Sequence, residues 1–468
     1  MGKLKPVVLG FLLWSMFACS DDMTGPEGDE FPEKLAPYET YYDAATFQQR
    51  RDDLVGSIPS DAMAVIVTND TYLRNGDVGY EFRPASHFFY LTGFDEPNAV
   101  AVIRRKSPSV STAELIMFVE KREGAALQWL GPVYGPEGAV EYFGADSAYE
   151  YENFVPLVRL YLGTGSYQSI YANFETNQTV ADSFYSSGAE IPTVVDVNGI
   201  IEKMRVIKSP LEIDLIQQAV DVSVQAFTEA LSMIEPGVYE YEVDALFDYI
   251  LRLNGCSRAA FPTIVASGPN INILHYDENQ RQMQAGELVM IDFGTEYGYY
   301  AADITRTLPV SGTFSPAQAT IYGIVLEAYQ TVVQAAAPEV SYYALYNLSR
   351  DLMLDRLLEK GIITGNKADL IATYSYRRYI QAGLAHPIGL DVHDPFPREE
   401  SGDKILKENM VLALEPHIYL YEGDLTVDQD YWDVCARIED DILITAACCE
   451  VLSAELPVEI EAIEKLMK

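Results

Sequence analysis

The sequence has 468 residues, more than one hydrophobic core usually serves, so we expect two or three domains. Its hydrophobic content of 49% is ordinary for a globular protein. The formal net charge of -38 argues against a nucleic-acid partner, because phosphates would be repelled. An acidic cleft would attract the free amino group of a peptide, although a solvated acidic surface with no such role explains the charge equally well.

The first residues are predicted to be a targeting segment outside the fold. Lys3 and Lys5 precede an apolar run that ends at Ala18, and this run is too short to span a membrane. Residues 1–18 therefore have the pattern of a signal peptide. A small residue followed by Cys19 resembles a bacterial lipoprotein cleavage site. Lipid attachment at Cys19 is the prediction, and ordinary cleavage nearby is the alternative.

Residues 19–40 are rich in acidic residues, glycine and proline, and we predict a flexible tether. Together with the signal peptide, the tether predicts an exported protein of the bacterial cell envelope, either periplasmic or at the surface. Contact with the membrane is expected only through a lipid on Cys19.

Residues 41–197 are predicted to form a smaller α/β domain around a mixed sheet. Three apolar runs rich in β-branched and large side chains have the pattern of buried strands, and turns with glycine and proline separate them. The runs are 62–68, 99–103 and 114–119.

Residues 198–468 are predicted to form the second domain. Ser209, Pro210 and Glu212 have the pattern of a helix start, and Pro236 would end that helix after about residue 234. Further helices are predicted near 242–253, 316–336 and 343–360, alternating with strand pairs. The cysteines beyond Cys19 have no metal-binding or redox spacing and are predicted to be buried thiols: they are Cys256, Cys435, Cys448 and Cys449.

Five candidate metal ligands occur in short, distinctive contexts within this second domain. Four carboxylates and one imidazole form an oxygen-rich set without a thiolate, which suits hard or borderline divalent ions. Carboxylates shared between two ions would build a two-metal site that generates hydroxide at neutral pH. The five are Asp292, Asp303, His386, Glu415 and Glu439.

The first two candidates follow a buried-strand pattern and a turn. Asp292 and Asp303 suit two antiparallel strands joined by a turn that contains Gly298, which would bring their carboxylates together. Two adjacent carboxylates repel each other unless a cation lies between them. The structural alternative is an aspartate at a turn and an Asp303 paired with Arg306, and for this pair alone it is equally favoured.

The remaining candidates lie further along the chain. Glu415 ends an apolar strand, where a carboxylate is costly to bury unless it is paired or binds a metal. Glu439 and Arg437 fall on one face of a second strand, so the guanidinium could anchor neighbouring carboxylates. A structural ion pair explains either residue alone. A single histidine such as His386 is more often structural than catalytic.

The contexts of these residues resemble the pita-bread metallopeptidases, and within them the proline-specific branch that includes prolidase and aminopeptidase P. The resemblance spans roughly residues 45–455 and includes the stretch 261–279 and the Tyr-Leu-Thr-Gly-Phe motif that begins at Tyr90. It implies an α+β pita-bread catalytic domain with an internal duplication, preceded by an accessory domain like the amino-terminal domain of aminopeptidase P.

The resemblance also implies an activity and residue roles. The expected enzyme is an Xaa-Pro aminopeptidase with two divalent ions, most often Mn²⁺, which acts on proline-containing peptides through a bridging metal hydroxide. The five candidates would be ligands, and Glu415 would also transfer the proton. His275 and His393 would contact the substrate, and Arg437 would support the site. Relatives of this kind are often homodimers or homotetramers.

Alternatives remain at this point. A prolidase, which cleaves only dipeptides, would share every catalytic residue, and a pita-bread binding protein without activity is a third reading. The chain also departs from the family pattern at three positions near the expected substrate pocket: Ala382, Pro387 and His417. One hypothesis is that His417 partly substitutes for an imidazole that the family often carries at the position of Ala382.

Overall fold

The computed structural model describes residues 43–468 except 108, 166, 187–192, 382 and 400. The predicted signal peptide, Cys19 and the tether therefore lie outside the described residues, as does Ala382. Among the residues that are described, no helix combines the length and the apolar character needed to cross a membrane.

The amino-terminal region is built on a six-stranded mixed sheet with the strand order β6-β5-β4-β1-β7-β8. Its elements, in chain order, are α1 (Ala44–Ser57), β1 (Ala62–Val67), β2 (Leu73–Asn75), β3 (Val78–Gly79), α2 (Ser86–Thr92), β4 (Val100–Arg105), β5 (Ala113–Val119), α3 (Gly124–Leu130), α4 (Gly135–Phe143), β6 (Ser147–Glu150), α5 (Phe154–Gly163), β7 (Ser169–Ala172), α6 (Gln178–Tyr185) and β8 (Thr193–Asp196).

The central strand β1 shows why this sheet needs helices on both faces. Every residue of β1 is buried, and successive side chains of a strand point to opposite faces. Ala64 and Ile66 accordingly pack with Phe88 of α2 in one apolar core. Met63 and Val65 pack in a second core on the other face. The predicted strands and the mixed sheet are confirmed.

The carboxyl-terminal region begins with helices and continues into short strand pairs. Its elements are α7 (Asn198–Arg205), α8 (Pro210–Leu231), α9 (Glu240–Leu253), β9 (Arg258–Ala259), β10 (Ile264–Ser267), β11 (Leu288–Phe293), β12 (Thr295–Tyr297), β13 (Tyr300–Ala301), β14 (Ile304–Pro309), α10 (Pro316–Ala335), α11 (Tyr342–Glu359), α12 (Lys367–Ala372), β15 (Ala385–Pro387), β16 (Val411–Leu414), β17 (His417–Ile418), β18 (Ala436–Arg437), β19 (Asp440–Ile444), β20 (Cys449–Val451) and α13 (Ile460–Leu466).

The long helix α8 begins where the sequence indicates. The Ser209 hydroxyl accepts the amide hydrogen of Glu212, and the Glu212 carboxylate accepts that of Ser209, which together form a capping box with Pro210 in the first turn. Helices α9, α10 and α11 lie within two residues of their predicted limits.

Two antiparallel sheets form the centre of this region. One has the order β10-β11-β14 and the other β15-β16-β19-β20. An isolated bridge between Thr305 and Glu439 connects them, with both backbone amides donating across it at 3.2 and 3.1 Å. The expected pair of half-sheets, one bearing aspartates and one bearing glutamates, is therefore present and joined at the residues of interest.

A glycine allows the chain to leave the first sheet. A Cβ atom on Gly294 would lie 1.6 Å from the carbonyl oxygen of Ala302, so only glycine fits between β11 and β12. The predicted turn at Gly298 joins β12 to β13, with a positive φ of 54°. The chain from Asp292 to Asp303 therefore leaves β11, forms the separate β12–β13 hairpin and then enters β14. The two aspartates are not joined by the single hairpin that the sequence predicted.

The predicted domain division falls between β8 and α7 and stays a prediction. The prediction of buried thiols is confirmed for Cys256 and Cys435 but is wrong for Cys448, which is exposed in the turn between β19 and β20.

Candidate metal centre

The structure brings the five predicted ligand residues to the junction of the two half-sheets. Asp292 lies near the end of β11 and Asp303 directly precedes β14. His386 lies within β15, Glu415 follows β16, and Glu439 directly precedes β19. Each carboxylate therefore sits at a strand end or within a strand, where the sheet fixes its backbone.

Three of the five are close enough to share one ion. Ligand atoms of Asp303, His386 and Glu439 all lie within 4.8 Å of one another. The Nε2 atom of His386 is 3.4 Å from Asp303 Oδ2 and 3.9 Å from Glu439 Oε1. The other ring nitrogen of His386, Nδ1, lies 3.1 Å from the carbonyl oxygen of Pro387. If Nδ1 carries the proton, Nε2 is left with its lone pair facing the carboxylates.

Asp292 joins this group through the sheet and through Arg437. Asp292 lies opposite Thr305 in the β11–β14 register, and Nη2 of the buried Arg437 donates to Asp292 Oδ2. Nε of Arg437 donates to Thr305 Oγ1 at 3.0 Å, and Thr305 Oγ1 donates to Glu439 Oε2 at 2.6 Å. Arg437 thus contacts Asp292 directly and Glu439 through Thr305, one carboxylate from each half-sheet.

The donor set fits a divalent cation because the negative charge is not balanced by the protein. Among the described residues, no donor reaches the buried atoms Asp292 Oδ1 and Asp303 Oδ1. Burial, together with the nearby Asp292 carboxylate, raises the pKa of Asp303 well above its usual range. Burial and Asp303 do the same to the pKa of Glu439. Unsatisfied buried carboxylate oxygens that face one another are the ligands expected for a bound metal.

Glu415 lies at the edge of this group. Its backbone amide donates to the carbonyl oxygen of Leu384 at 2.9 Å, which fixes its position beside β15. Burial raises the pKa of Glu415, and the raised value persists despite the opposing charges of Arg437 and His386. A half-buried carboxyl of this kind can hold a proton that a fully solvated glutamate would release.

His275 and His393 lie on the wall of a cavity of about 370 Å³ that also contains Asp292 and Asp303. The ring centroids of His393 and His386 are 4.4 Å apart. Both His275 and His393 are exposed to the cavity solvent. Burial and the neighbouring imidazole of His386 lower the pKa of His393, so its neutral form, which has one N–H donor, is favoured.

The same cavity has an apolar side. Phe261, Pro262, Ile264 and Val392 line it next to the aspartates. A ring without a backbone N–H would be accommodated there through apolar contact rather than hydrogen bonding.

His417 lies in β17 and its ring is buried. Its Nδ1 atom is 2.9 Å from the carbonyl oxygen of Glu415, and it lines a small separate cavity with Tyr346 and Met353. Burial lowers the pKa of His417 to about 4. The ring contacts the backbone beneath Glu415, so the hypothesis that it supplies an imidazole to the substrate cavity receives no support from its position. Pro387 ends β15 and is buried.

Two participants were not predicted from the sequence. Thr305 links Glu439 to Arg437 through its hydroxyl, and Asp441 Oδ2 accepts the backbone amide of Asp303 at 3.0 Å. Period two along Asp303-Ile-Thr305 places both residues on one face, which was an available signal for the threonine.

The predicted alternative for Asp303 is wrong, since Arg306 pairs with Asp440. Glu439 also differs slightly from expectation, because it lies between β18 and β19 rather than within a strand.

Buried carboxylates shared by two half-sheets, with imidazoles on an open cavity, define the class of protein as a metal-dependent hydrolase. The sequence matches metallopeptidase family M24 over residues 214–446 and the aminopeptidase P N-terminal domain over residues 47–171. The chain belongs to family M24, in the arrangement found in aminopeptidase P.

Individual relatives support the same conclusion along nearly the whole chain. The chain is 34% identical to the Xaa-Pro aminopeptidase of Escherichia coli strain K12, over 90% of this chain and 97% of that protein. It is also similar to the structure of E. coli aminopeptidase P with the inhibitor Pro-Leu, with a TM-score of 0.85, 34% identity, and coverage of 91% and 98%. The Zn-substituted E. coli enzyme in complex with product gives a TM-score of 0.86 at 34% identity and the same coverage.

Proposed function

We propose that this chain is an Xaa-Pro aminopeptidase, which removes the first residue of a peptide whose second residue is proline. The observation that carries the proposal is the set of unbalanced buried carboxylates open to a cavity with two imidazoles and an apolar wall. The activity named for the E. coli relative supports the same substrate class.

The residues of the centre have separate roles in this proposal. Asp292, Asp303, His386, Glu415 and Glu439 would hold two divalent ions, which supply a nucleophilic hydroxide at neutral pH and polarise the peptide carbonyl. Glu415 would hold the proton released at the site and return it to the leaving nitrogen, for which its raised pKa is suited. Arg437 would keep Asp292 in place.

Substrate contacts are assigned to the cavity. His275 and His393 would donate hydrogen bonds to the charge that develops on the scissile amide. The proline ring would pack against Phe261 and Val392, since an apolar wall binds a ring that lacks an N–H. A free amino group would be attracted by the negative charge around Asp277, which lines the cavity as well.

We propose Mn²⁺ as the working metal. Four carboxylates and one imidazole are ligands that suit Mn²⁺, whereas a structural zinc ion is usually bound by thiolates. The Zn-substituted E. coli relative indicates that such a site also accepts zinc. The metal content of protein purified without added metal, measured by plasma mass spectrometry, tests this assignment, and stoichiometric zinc would contradict it.

The decisive test is mass spectrometry of the products from Ala-Pro-Ala and, separately, from Ala-Pro. The metal-loaded protein is expected to release alanine from the tripeptide, and chelator or Asp303→Asn should abolish this release. Asp369→Asn, at an exposed aspartate of α12, is the matched control and should leave the rate unchanged. Cleavage of the dipeptide alone would instead identify a prolidase, and no cleavage of either would favour a binding role.

The location and assembly of the protein are further proposals. We propose export through the signal peptide and lipid attachment at Cys19, supported by the targeting pattern of residues 1–19. The intact mass of membrane-extracted protein tests this, because an unmodified mature terminus would contradict it. A homodimer or homotetramer is proposed on the family resemblance, and light scattering coupled to size-exclusion chromatography would detect a monomer.

A further inference from the structure

His393 lies on a short loop whose position is set by groups outside the metal centre. This loop, residues 388–394, follows β15 and is called here the His393 loop. Its backbone forms local hydrogen bonds from Gly389 N to Asp391 O at 3.1 Å and from Asp394 N to Pro387 O at 2.9 Å. The amide of Ala301, in β13, also donates to Gly389 O at 2.8 Å. The amide of Ile388 donates to the carbonyl oxygen of Val411, in β16, at 3.1 Å. These contacts hold the first residues of the loop to β13 and β16, whereas Asp391 and Asp394 lie beyond them.

Two aspartates beside His393 connect the loop to Arg205, the last residue of α7, and to Lys208, which precedes α8. Arg205 Nη2 donates to Asp391 Oδ2 at 2.7 Å and also to Asp394 Oδ1. Lys208 Nζ donates to Asp394 Oδ2 at 2.7 Å. Arg205 and Lys208 are each only 2% exposed, so both cations are withdrawn from water and face these carboxylates.

The amino-terminal region supplies the remaining contacts. Ser86 Oγ, at the start of α2, donates to Asp391 Oδ1 at 2.5 Å. Arg83 Nη2 donates to the carbonyl oxygen of Leu390. His87 Nδ1 lies 2.9 Å from Arg205 Nη1. These groups are called here the interdomain cluster, and its members are Arg83, Ser86, His87, Arg205, Lys208, Asp391 and Asp394.

The charges of Arg205 and Lys208 are matched by those of Asp391 and Asp394, unlike the charges of the metal centre. Each of the four carboxylate oxygens of Asp391 and Asp394 accepts a hydrogen bond. Burying matched ion pairs contributes little net stability, because desolvation offsets the attraction. What such pairs do provide is a fixed geometry, since moving the loop would leave a charge unpaired. The loop can therefore take few positions relative to α2 and α7.

A fixed loop matters because the His393 side chain reaches the cavity from this loop. Its ring is exposed on the cavity wall and stands only 4.4 Å from the ring of His386. A hydrogen-bond donor acts on a developing charge only when it is held close to its productive place, and a displacement of about 1 Å can cost on the order of a hundredfold in rate.

We propose that the interdomain cluster positions His393, so that Ser86 of the amino-terminal region and Arg205 of α7 act on substrate through Asp391 and the His393 loop. Ser86, Arg205 and Asp391 are positioning residues, and the amino-terminal domain is then part of the catalytic apparatus. The inference rests on the proposed aminopeptidase function for the role of His393.

The first test is a double-mutant cycle on alanine release from Ala-Pro-Ala by the metal-loaded full chain. Asp391→Asn is expected to lower kcat by about tenfold, and Ser86→Ala by about threefold, with metal content unchanged. In a His393→Ala background, the same two substitutions should have no further effect. An equal loss in both backgrounds would overturn the proposal, because the cluster would then act by another route.

A matched control comes from the same interface. Arg258 of β9 joins Glu81 at 2.9 Å and Glu296 at 2.9 Å, and Glu81 does not contact the His393 loop through this pair. Glu81→Gln should leave kcat unchanged. If it lowers kcat as much as Asp391→Asn, the effect belongs to interdomain packing in general and the proposal fails.

Hydrogen exchange provides a readout that does not depend on activity. In metal-free protein, Ser86→Ala and Asp391→Asn are expected to speed amide exchange in the peptide covering the His393 loop by about tenfold, whereas Glu81→Gln should not. Unchanged exchange in both variants would overturn the positioning role. If the wild type fails to cleave Ala-Pro-Ala, the proposed function fails, while this exchange experiment still decides whether the cluster orders the loop.

Discussion

The metal centre and the interdomain cluster both bury aspartates, yet they do so in opposite ways. In the interdomain cluster, Asp394 is held by Arg205 and Lys208 and its two oxygens have donors. In the metal centre, the Arg437 guanidinium pairs with Asp292, and its Nε lies 3.7 Å from Glu439 Oε2. Among the described residues, no donor reaches Asp292 Oδ1 or Asp303 Oδ1. Burial of carboxylates alone therefore does not indicate a metal site; what distinguishes Asp292 and Asp303 is unbalanced charge on the wall of an open cavity.

Asp391 of the interdomain cluster and Asp303 of the metal centre also differ in the direction of their pKa shifts. Burial raises the pKa of Asp391, but Arg205 and the Ser86 hydroxyl outweigh it, so the net pKa lies below its usual range. At Asp303, burial and the neighbouring carboxylates act in the same direction, and the pKa is raised well above its usual range. Only the second arrangement costs free energy at neutral pH until a cation binds.

The largest expected effect is on catalysis. Asp303→Asn removes a ligand oxygen of the three-residue group around His386, so it should lower both metal occupancy and alanine release from Ala-Pro-Ala. We expect the rate to fall on the order of a thousandfold or more. Full activity and full metal content in this variant would show that the unbalanced carboxylates do not form the metal site.

The next effect in size is a loss of folding stability when a carboxylate of the interdomain cluster is neutralised. Asp394→Asn leaves Arg205 and Lys208 with one fewer buried partner charge, and breaking a buried pair costs about 3 kcal/mol of unfolding free energy. Urea unfolding of metal-free wild type and variant measures the difference. An unchanged midpoint would mean that solvent or a neighbouring group already compensates the two cations.

Replacing an aspartate of the metal centre by asparagine should instead raise the unfolding free energy of the metal-free protein. In metal-free protein, Asp303→Asn removes one of several repelling buried carboxylates, so we expect the unfolding free energy to rise by about 2 kcal/mol. Urea unfolding in the presence of chelator measures it. If Asp303→Asn instead lowered the unfolding free energy as much as Asp394→Asn does, the carboxylates of the metal centre would not be repelling one another.

The metal centre could be predicted from the sequence because its ligands come from short motifs at strand ends. The apolar runs that lead to Asp292 and Glu415 predict strands there, so local pattern places these two carboxylates, and the family resemblance completes the ligand set. The helix that begins at Pro210 was likewise defined by its capping residues. Such features depend on neighbours in sequence, and the structure shows them close to their predicted limits.

The interdomain cluster could not be predicted in this way. Ser86 and Asp391 are separated by 305 residues. Ser86 stands in no motif with a recognised chemical role, and Asp391, which lies between His386 and His393, is assigned no role by that motif. Their contact depends on how the amino-terminal sheet packs against the catalytic region. The break between β11 and β12 at Gly294 was not predicted for a similar reason, because it depends on the close approach of the Ala302 carbonyl, which is a tertiary contact.

The smallest expected effect is a pH dependence that belongs to the interdomain cluster. Burial and the adjacent Arg205 lower the pKa of His87 to about 4 from an ordinary value of 6.5, while Asp391, Asp394 and Asp196 oppose the shift. Between these two values the unfolded chain binds a proton that the folded protein excludes. Stability contributed by neutral His87 is therefore complete above pH 6.5 and is lost as the pH falls towards 4.

His87→Gln removes this proton and should flatten the acid side of the stability profile. The carboxylates that also titrate there are common to both proteins, so the difference between the two profiles isolates His87. We expect wild type to lose about 2 kcal/mol more than the variant between pH 7 and pH 5, measured by urea unfolding at each pH. Parallel profiles would mean that His87 titrates normally, and that the cluster around Arg205 is more open to water than its buried contacts indicate.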